Sequence, residues 1–205
     1  MNVSHESLTQ LLGRVDSESA LISGGLCVYR VLPILYLEGQ TAVRHREFLD
    51  VERWTPAALS TGIGELLEQL RRDIDPDAFE DLLGEDSGQI AELYSMAAEM
   101  VLRYFADDFD VADWSDWSST LVLDIHQQLD ELQDESGAQD TARFFPAGSA
   151  PDLTPLQALE LADQIAILDR LVAGDLVDHS EIVEIAENGS RRVRSALSLI
   201  AREEG

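Results

Sequence analysis

The chain has 205 residues, 45% of them apolar, and sets 40 Asp and Glu against 14 Arg with no Lys, for a formal net charge of −26. That length and apolar content suffice for the core of an ordinary globular unit, and the charge excludes nonspecific attraction to nucleic acid or to an anionic lipid surface. The missing Lys also excludes Schiff-base, Ser-x-x-Lys and P-loop chemistry, each of which needs a primary amine.

The charge is uneven along the chain. Residues 1–75 hold 11 acids against 7 Arg (−4), residues 76–187 hold 27 against 3 (−24), and residues 188–205 hold 2 against 4 (+2). Codon bias in a high-GC genome, or life in a high-salt cytoplasm, accounts for a Lys-poor acidic composition. Salt adaptation spreads acids over every exposed face, which the N-terminal third does not follow.

From the start, Met1 to Ser7 lacks the basic and apolar regions of a secretory signal. The most apolar run, Ile22 to Leu37, is 16 residues long and contains Arg30, which is short of the about 20 needed to cross a bilayer. It reads as a core segment. Cys27 is the single cysteine, so it has no internal disulfide partner and fits a buried thiol in a reducing compartment. The expectation is a soluble cytoplasmic protein without a membrane partner.

A buried helix kinked at Pro33 covers this run, in competition with a β-hairpin that pairs Ile34–Leu37 with Thr41–Arg46 around Gly39-Gln40. Thr55-Pro56, Asp75-Pro76 and Thr154-Pro155 each set a capping side chain before a proline suited to the first helical position. Thr154 with Gln157, Asp86 with Gln89, and Asp178 with Glu181 have the spacing of capping boxes. These signals predict helices near 56–73, 76–84, 87–105, 155–173 and 179–202, with another from about Asp113 to about Glu135.

Three apolar stripes agree with them: Ile90, Leu93, Tyr94, Ala97, Val101, Tyr104 and Phe105; then Trp114, Trp117, Leu121, Ile125, Leu129 and Leu132; then Ile182, Ala186, Gly189, Val193, Ala196, Leu197 and Ile200. The last keeps phase through Asn188-Gly189, so that helix is predicted to continue. The fold class is mainly α, a multi-helix bundle of about seven or eight helices, with a small hairpin near residues 34–46 as the competing reading of that segment. Residues 1–135 form a helical body, 136–152 a linker rich in Gly, Ala, Ser and Pro, and 153–205 a helical hairpin packed on the body.

The sharpest chemical motif is Asp107-Asp108-Phe109-Asp110, after the aromatic helix end Leu102-Arg103-Tyr104-Phe105. Clustered carboxylates hold hard cations such as Mg²⁺. The string resembles the aspartate-rich motif of class I terpene synthases over about ten residues. That resemblance implies an all-helical enzyme with Asp107, Asp108 and Asp110 on Mg²⁺. The spacing here is Asp-Asp-x-Asp, not the commoner Asp-Asp-x-x-Asp, and the downstream Asn188, Ser190 and Glu187 match the family's second metal motif poorly. Otherwise no cofactor is implied. A simpler role for Asp110, Asp113 and Asp116 is to favour the positive N-terminus of the next helix. His5, His45, His126 and His179 lie in separate segments with no ligand spacing. His126, one turn before Asp130, reads as its surface ion-pair partner.

The composition therefore points to a non-catalytic protein that binds a basic protein, or a nucleic-acid-binding protein whose groove it fills as a nucleic-acid mimic. Inhibitors, immunity proteins and adaptors are of this type. Candidate anchors are Trp114, Trp117 and Phe145, with Asp124, Asp130 and Asp134 on the acidic face, and Glu131, Glu160, Asp163 and Asp169 extending its rows. Trp114 and Trp117 have a competing role in the core stripe. Arg191, Arg192 and Arg194 are expected to bridge to acidic helices. A Mg²⁺-dependent helical enzyme and a salt-adapted protein whose charge is only solvation are the alternatives.

Overall fold

A computed structural model describes residues 3–36, 55–74, 88–106, 110–135, 153–174 and 179–203. Among these residues there are seven helices and no strand: α1 (His5–Leu12), α2 (Ser17–Leu35), α3 (Pro56–Asp73), α4 (Gln89–Arg103), α5 (Val111–Glu135), α6 (Pro155–Ala173) and α7 (His179–Glu203). The chain is a multi-helix bundle.

Local chemistry starts the helices. Asp16 accepts from Ser19 N–H at 2.8 Å to open α2, and Thr55 accepts from Ala58 N–H at 3.2 Å to open α3, with Pro56 in its first turn. Asp110 accepts from Ala112 N–H at 2.8 Å and opens α5 two residues earlier than the expected Asp113. At α6 the Thr154 N–H donates to Gln157 at 3.3 Å, one half of the predicted box. The other support comes from a neighbour: Asp130 on α5 accepts from Leu156 N–H at 2.7 Å. Gly174, at φ 78°, ends α6 in the left-handed region that favours glycine.

The axis of the bundle is α2, which packs against α3, α4, α5, α6 and α7. Every residue from Ile22 to Ile34 is buried. It is the one helix among the described residues long and apolar enough to span a membrane by composition, and most of it is enclosed by the other helices. Pro33 sits in its last turn, where loss of one backbone hydrogen bond is tolerated before the helix stops at Leu35. Ile34 and Leu35 are thus helical and Tyr36 is the C-cap, which removes most of the first hairpin strand; Leu37 and Thr41–Arg46 lie outside the described residues. Gly24 and Gly25 let neighbours come close. A Cβ on Gly24 would strike the Trp114 ring, and one on Gly25 would strike Ile63.

The main core joins α2, α3, α4, α5, α7 and one side of α6 (Ile167, Leu171), while a second apolar cluster lies under α1 from Leu8, Leu11, Leu123, Leu161, Ile165 and Leu168. The α4 and α7 stripes pack as their periods predict, and α7 runs unbroken through Gly189. In α5 the buried face is turned from the expected stripe. Ser115, Ser118, Ser119, Val122 and His126 are buried, whereas Trp117, Leu121 and Leu132 sit half-buried at its edge. Small serines admit a close helix neighbour where larger apolar side chains would hold it away. The predicted helix 76–84, Asp75, Asp86, Asp178 and the linker 136–152 lie outside the described residues.

Candidate functional site

Two features of the molecule are candidates for function: the outer face of α5 and a charged cluster inside the bundle. The outer face is a single row. Asp113, Asp116, Thr120, Asp124, Gln127, Glu131 and Asp134 are all exposed, at successive three- or four-residue steps. At 1.5 Å per residue the row runs about 32 Å from end to end. No Arg lies on α5 to neutralise it.

Several expected site residues fall elsewhere. Trp114 is 2% exposed and donates its indole N–H to the Met100 carbonyl at 2.9 Å, so it belongs to the core and offers no surface to a partner. Trp117 is half-buried beneath the Arg103 guanidinium, 4.8 Å from its ring centroid. Asp124 and Asp134 are on the outer row. Asp130 is half-buried and committed to the first turn of α6. Burial raises its carboxyl above the usual range, against the pull of its hydrogen bonds to Leu156 and its neighbours. Phe145, Asp107 and Asp108 lie outside the described residues. Asp110 faces the α5 backbone N–H groups, and among the described residues no group of three or more His, Cys, Asp or Glu side chains could hold a metal ion.

The interior cluster is the part that sequence reasoning missed. Arg30 on α2 donates to Glu160 on α6 through Nε (3.0 Å to Oε1, 2.9 Å to Oε2) and Nη2 (2.6 Å to Oε1), and both side chains are essentially inaccessible. Gln164, one turn on, donates to the same carboxylate at 3.0 Å and to the Ser119 carbonyl of α5 at 3.0 Å. Arg30 Nη2 also reaches the Cys27 sulfur at 3.2 Å. On α7, Gly189 leaves room for the Arg30 stem, which a Cβ there would strike.

His126 completes the group. It is buried, not on the surface, and its acidic neighbour is Glu160, with Nε2 3.6 Å from Oε2. Its Nδ1 is 2.7 Å from the Val122 carbonyl. A carbonyl only accepts, so Nδ1 carries the proton of that bond. Outside this group Asp163 pairs with Arg192 of α7, as expected for one of the three C-terminal arginines. That pair stands on the wall of an open cavity of about 480 Å³ between α6 and α7. Glu160 and Asp163 are thus tied to arginines, and only Asp169 of the expected α6 row is exposed.

The electrostatics follow from burial and pairing. Burial opposes the Glu160 charge, but Arg30, His126 and the hydrogen bonds outweigh it and hold the carboxyl below its ordinary value. Burial also opposes the Arg30 charge, and Glu160 more than offsets it. Burial pushes the Cys27 thiol up to about 11, so it is no nucleophile. For Asp163 burial prevails over Arg192 and raises the carboxyl. A salt-bridged cluster this enclosed fixes how four helices meet; it has no open face for a substrate.

The signal for it was present. Arg30 interrupts an apolar run, and Glu160 and Gln164 share a helical face with Ile167 and Leu171. Compared with known proteins, the chain matches no family model, no curated protein and no solved structure.

Proposed function

We propose that this chain is a non-catalytic binding protein of the inhibitor, immunity or adaptor type, which docks a basic protein along the outer face of α5. The observation that supports this reading is the exposed row of Asp113, Asp116, Asp124, Glu131 and Asp134, spaced by Thr120 and Gln127, on a helix without Arg. Carboxylates at that spacing over about 32 Å suit a cationic groove, including one that otherwise holds nucleic acid. Long-range attraction speeds encounter, and local contacts then set the complex. Trp114 has no part in this reading, because it is enclosed in the core.

A capture experiment from native extract, with recovered proteins identified, tests it. Wild type is compared with Asp116→Asn/Asp124→Asn/Asp134→Asn and with a control, Glu92→Gln/Glu99→Gln/Glu184→Gln, which removes equal charge from exposed positions on α4 and α7. Asp130 is left intact because it supports α6. We expect a basic protein to be captured by wild type and by the control, with an association rate roughly tenfold lower for the α5 variant and falling with salt for all three. Equal loss in both variants would assign the attraction to net charge and defeat the docking face.

A further inference from the structure

We propose that His126 is a proton-operated latch inside the bundle: by taking up a proton at Nε2 at mildly acid pH, it becomes a second cation on the Glu160 carboxylate and weakens the seating of α5 on α2 and α6. The geometry leaves one site for that proton. Nδ1 is committed to the Val122 carbonyl, and Nε2, buried and without a hydrogen-bond partner, faces Glu160 Oε2 at 3.6 Å. In the neutral ring Nε2 presents a lone pair to a carboxylate that Arg30 and Gln164 already occupy.

Among the described residues, the charged groups that act there pair off. From α2 comes Arg30, with the Cys27 thiol neutral beside it; from α6, Glu160 and Asp163; from α7, Arg192; and from α5 itself, Asp130 one turn away. Glu160 neutralises Arg30, Asp163 neutralises Arg192, and Asp130 is held by the α6 N-terminus. A proton on His126 therefore adds positive charge to an enclosed site whose one carboxylate Arg30 already neutralises, with Arg192 close enough to oppose it further. Burial is the largest influence and lowers the His126 value; Glu160 and the Val122 bond raise it, Arg30 and Arg192 lower it further, and the balance is downward. The neighbouring Asp163–Arg192 pair lines the open cavity between α6 and α7, whereas His126, Glu160 and Arg30 are enclosed behind it.

The sign follows from linkage. A base whose value is lower in the folded chain contributes stability that is present above its unfolded value of about 6.5 and is lost as pH falls towards the folded value. One proton gained on unfolding reduces the folding constant by up to about tenfold per pH unit in that window. Asp130 and Asp163, both raised, act in the opposite direction, adding stability as pH falls, so they do not mimic the effect.

The test combines histidine NMR titration of the full chain with urea unfolding from pH 7.5 to 5, for wild type and for His126→Gln. Glutamine offers Glu160 a permanent neutral donor. We expect the buried imidazole, assigned by its absence in the variant, to titrate below 6.5. The wild-type folding constant should fall between pH 6.5 and 5, by no more than about tenfold per pH unit, and the variant's should not fall. An imidazole that titrates at or above 6.5, or an equal pH slope in both proteins, overturns the latch. If His126→Gln does not fold, the wild-type titration with assignment through the Val122 neighbour decides the question alone.

Discussion

Arg30 and Glu160 lie where apolar side chains would be the cheaper filling. Removing two charges from water costs several kcal/mol each, which the mutual attraction and the hydrogen bonds must recover. Their interaction nonetheless becomes indispensable once both are inside. Glu160→Gln should cost about 3–5 kcal/mol in urea unfolding, because it strands the Arg30 charge in a dry site. Arg30→Met with Glu160→Leu should lie closer to wild type than either single replacement, and a double variant as weak as the sum of the singles would contradict this pairing. Only half of the pair was legible in the sequence. Arg30 drew notice because it interrupts Ile22–Leu37. Glu160 and His126 read as surface residues, since a carboxylate or an imidazole on an amphipathic helix is usually solvated and spacing alone does not say what stands opposite.

Among elements, glycines reveal which helix contacts are closest. Gly64 on α3 has nothing within 4 Å of the place a Cβ would occupy, so Gly64→Ala should gain about 0.5–1 kcal/mol from helix propensity alone. Gly189 on α7 has the same propensity to gain, but its Cβ would strike the Arg30 stem, which the Glu160 bonds hold in place. Gly189→Ala should therefore lose about 1–3 kcal/mol, as overpacking does. Thermal unfolding of the two variants should shift in opposite directions; equal upward shifts would show that α7 does not press on Arg30. The α7 stripe was readable because its period survives Asn188-Gly189. The face that α5 buries was misjudged by about one residue's rotation, because Ser115, Ser118 and Ser119 carry no hydrophobic signal although close packing favours their small size.

At the scale of the molecule, acids occupy the exterior of every helix, with Glu6 on α1, Glu18 on α2, Glu65 and Glu68 on α3, Glu92 and Glu99 on α4, Asp169 on α6 and Glu184 on α7. That spread favours solvation in salt as a second account of the charge. The two accounts differ in how the fold responds to salt. If the bundle is held by its core and the α5 row is for docking, the protein should be folded at 0.15 M salt and gain little stability at 1 M, where the Debye length falls to about 3 Å. A chain unfolded by circular dichroism at low salt that folds only near 1 M would favour solvation alone.

The sequence by itself determined the mainly helical class, most helix starts and the acidic middle of the chain. These are local properties: a cap bonds within one turn, a stripe repeats every 3.6 residues, and charge is a count. Tertiary structure alone decided which polar residues are inside. Glu160 is a core residue because Arg30, 130 positions away, arrives opposite it. Asp130 serves α6 because that helix begins beside it, and Trp114 is enclosed because Gly24 makes room for its ring. Each outcome depends on which helix faces which, and the period of one segment does not say which distant segment it meets.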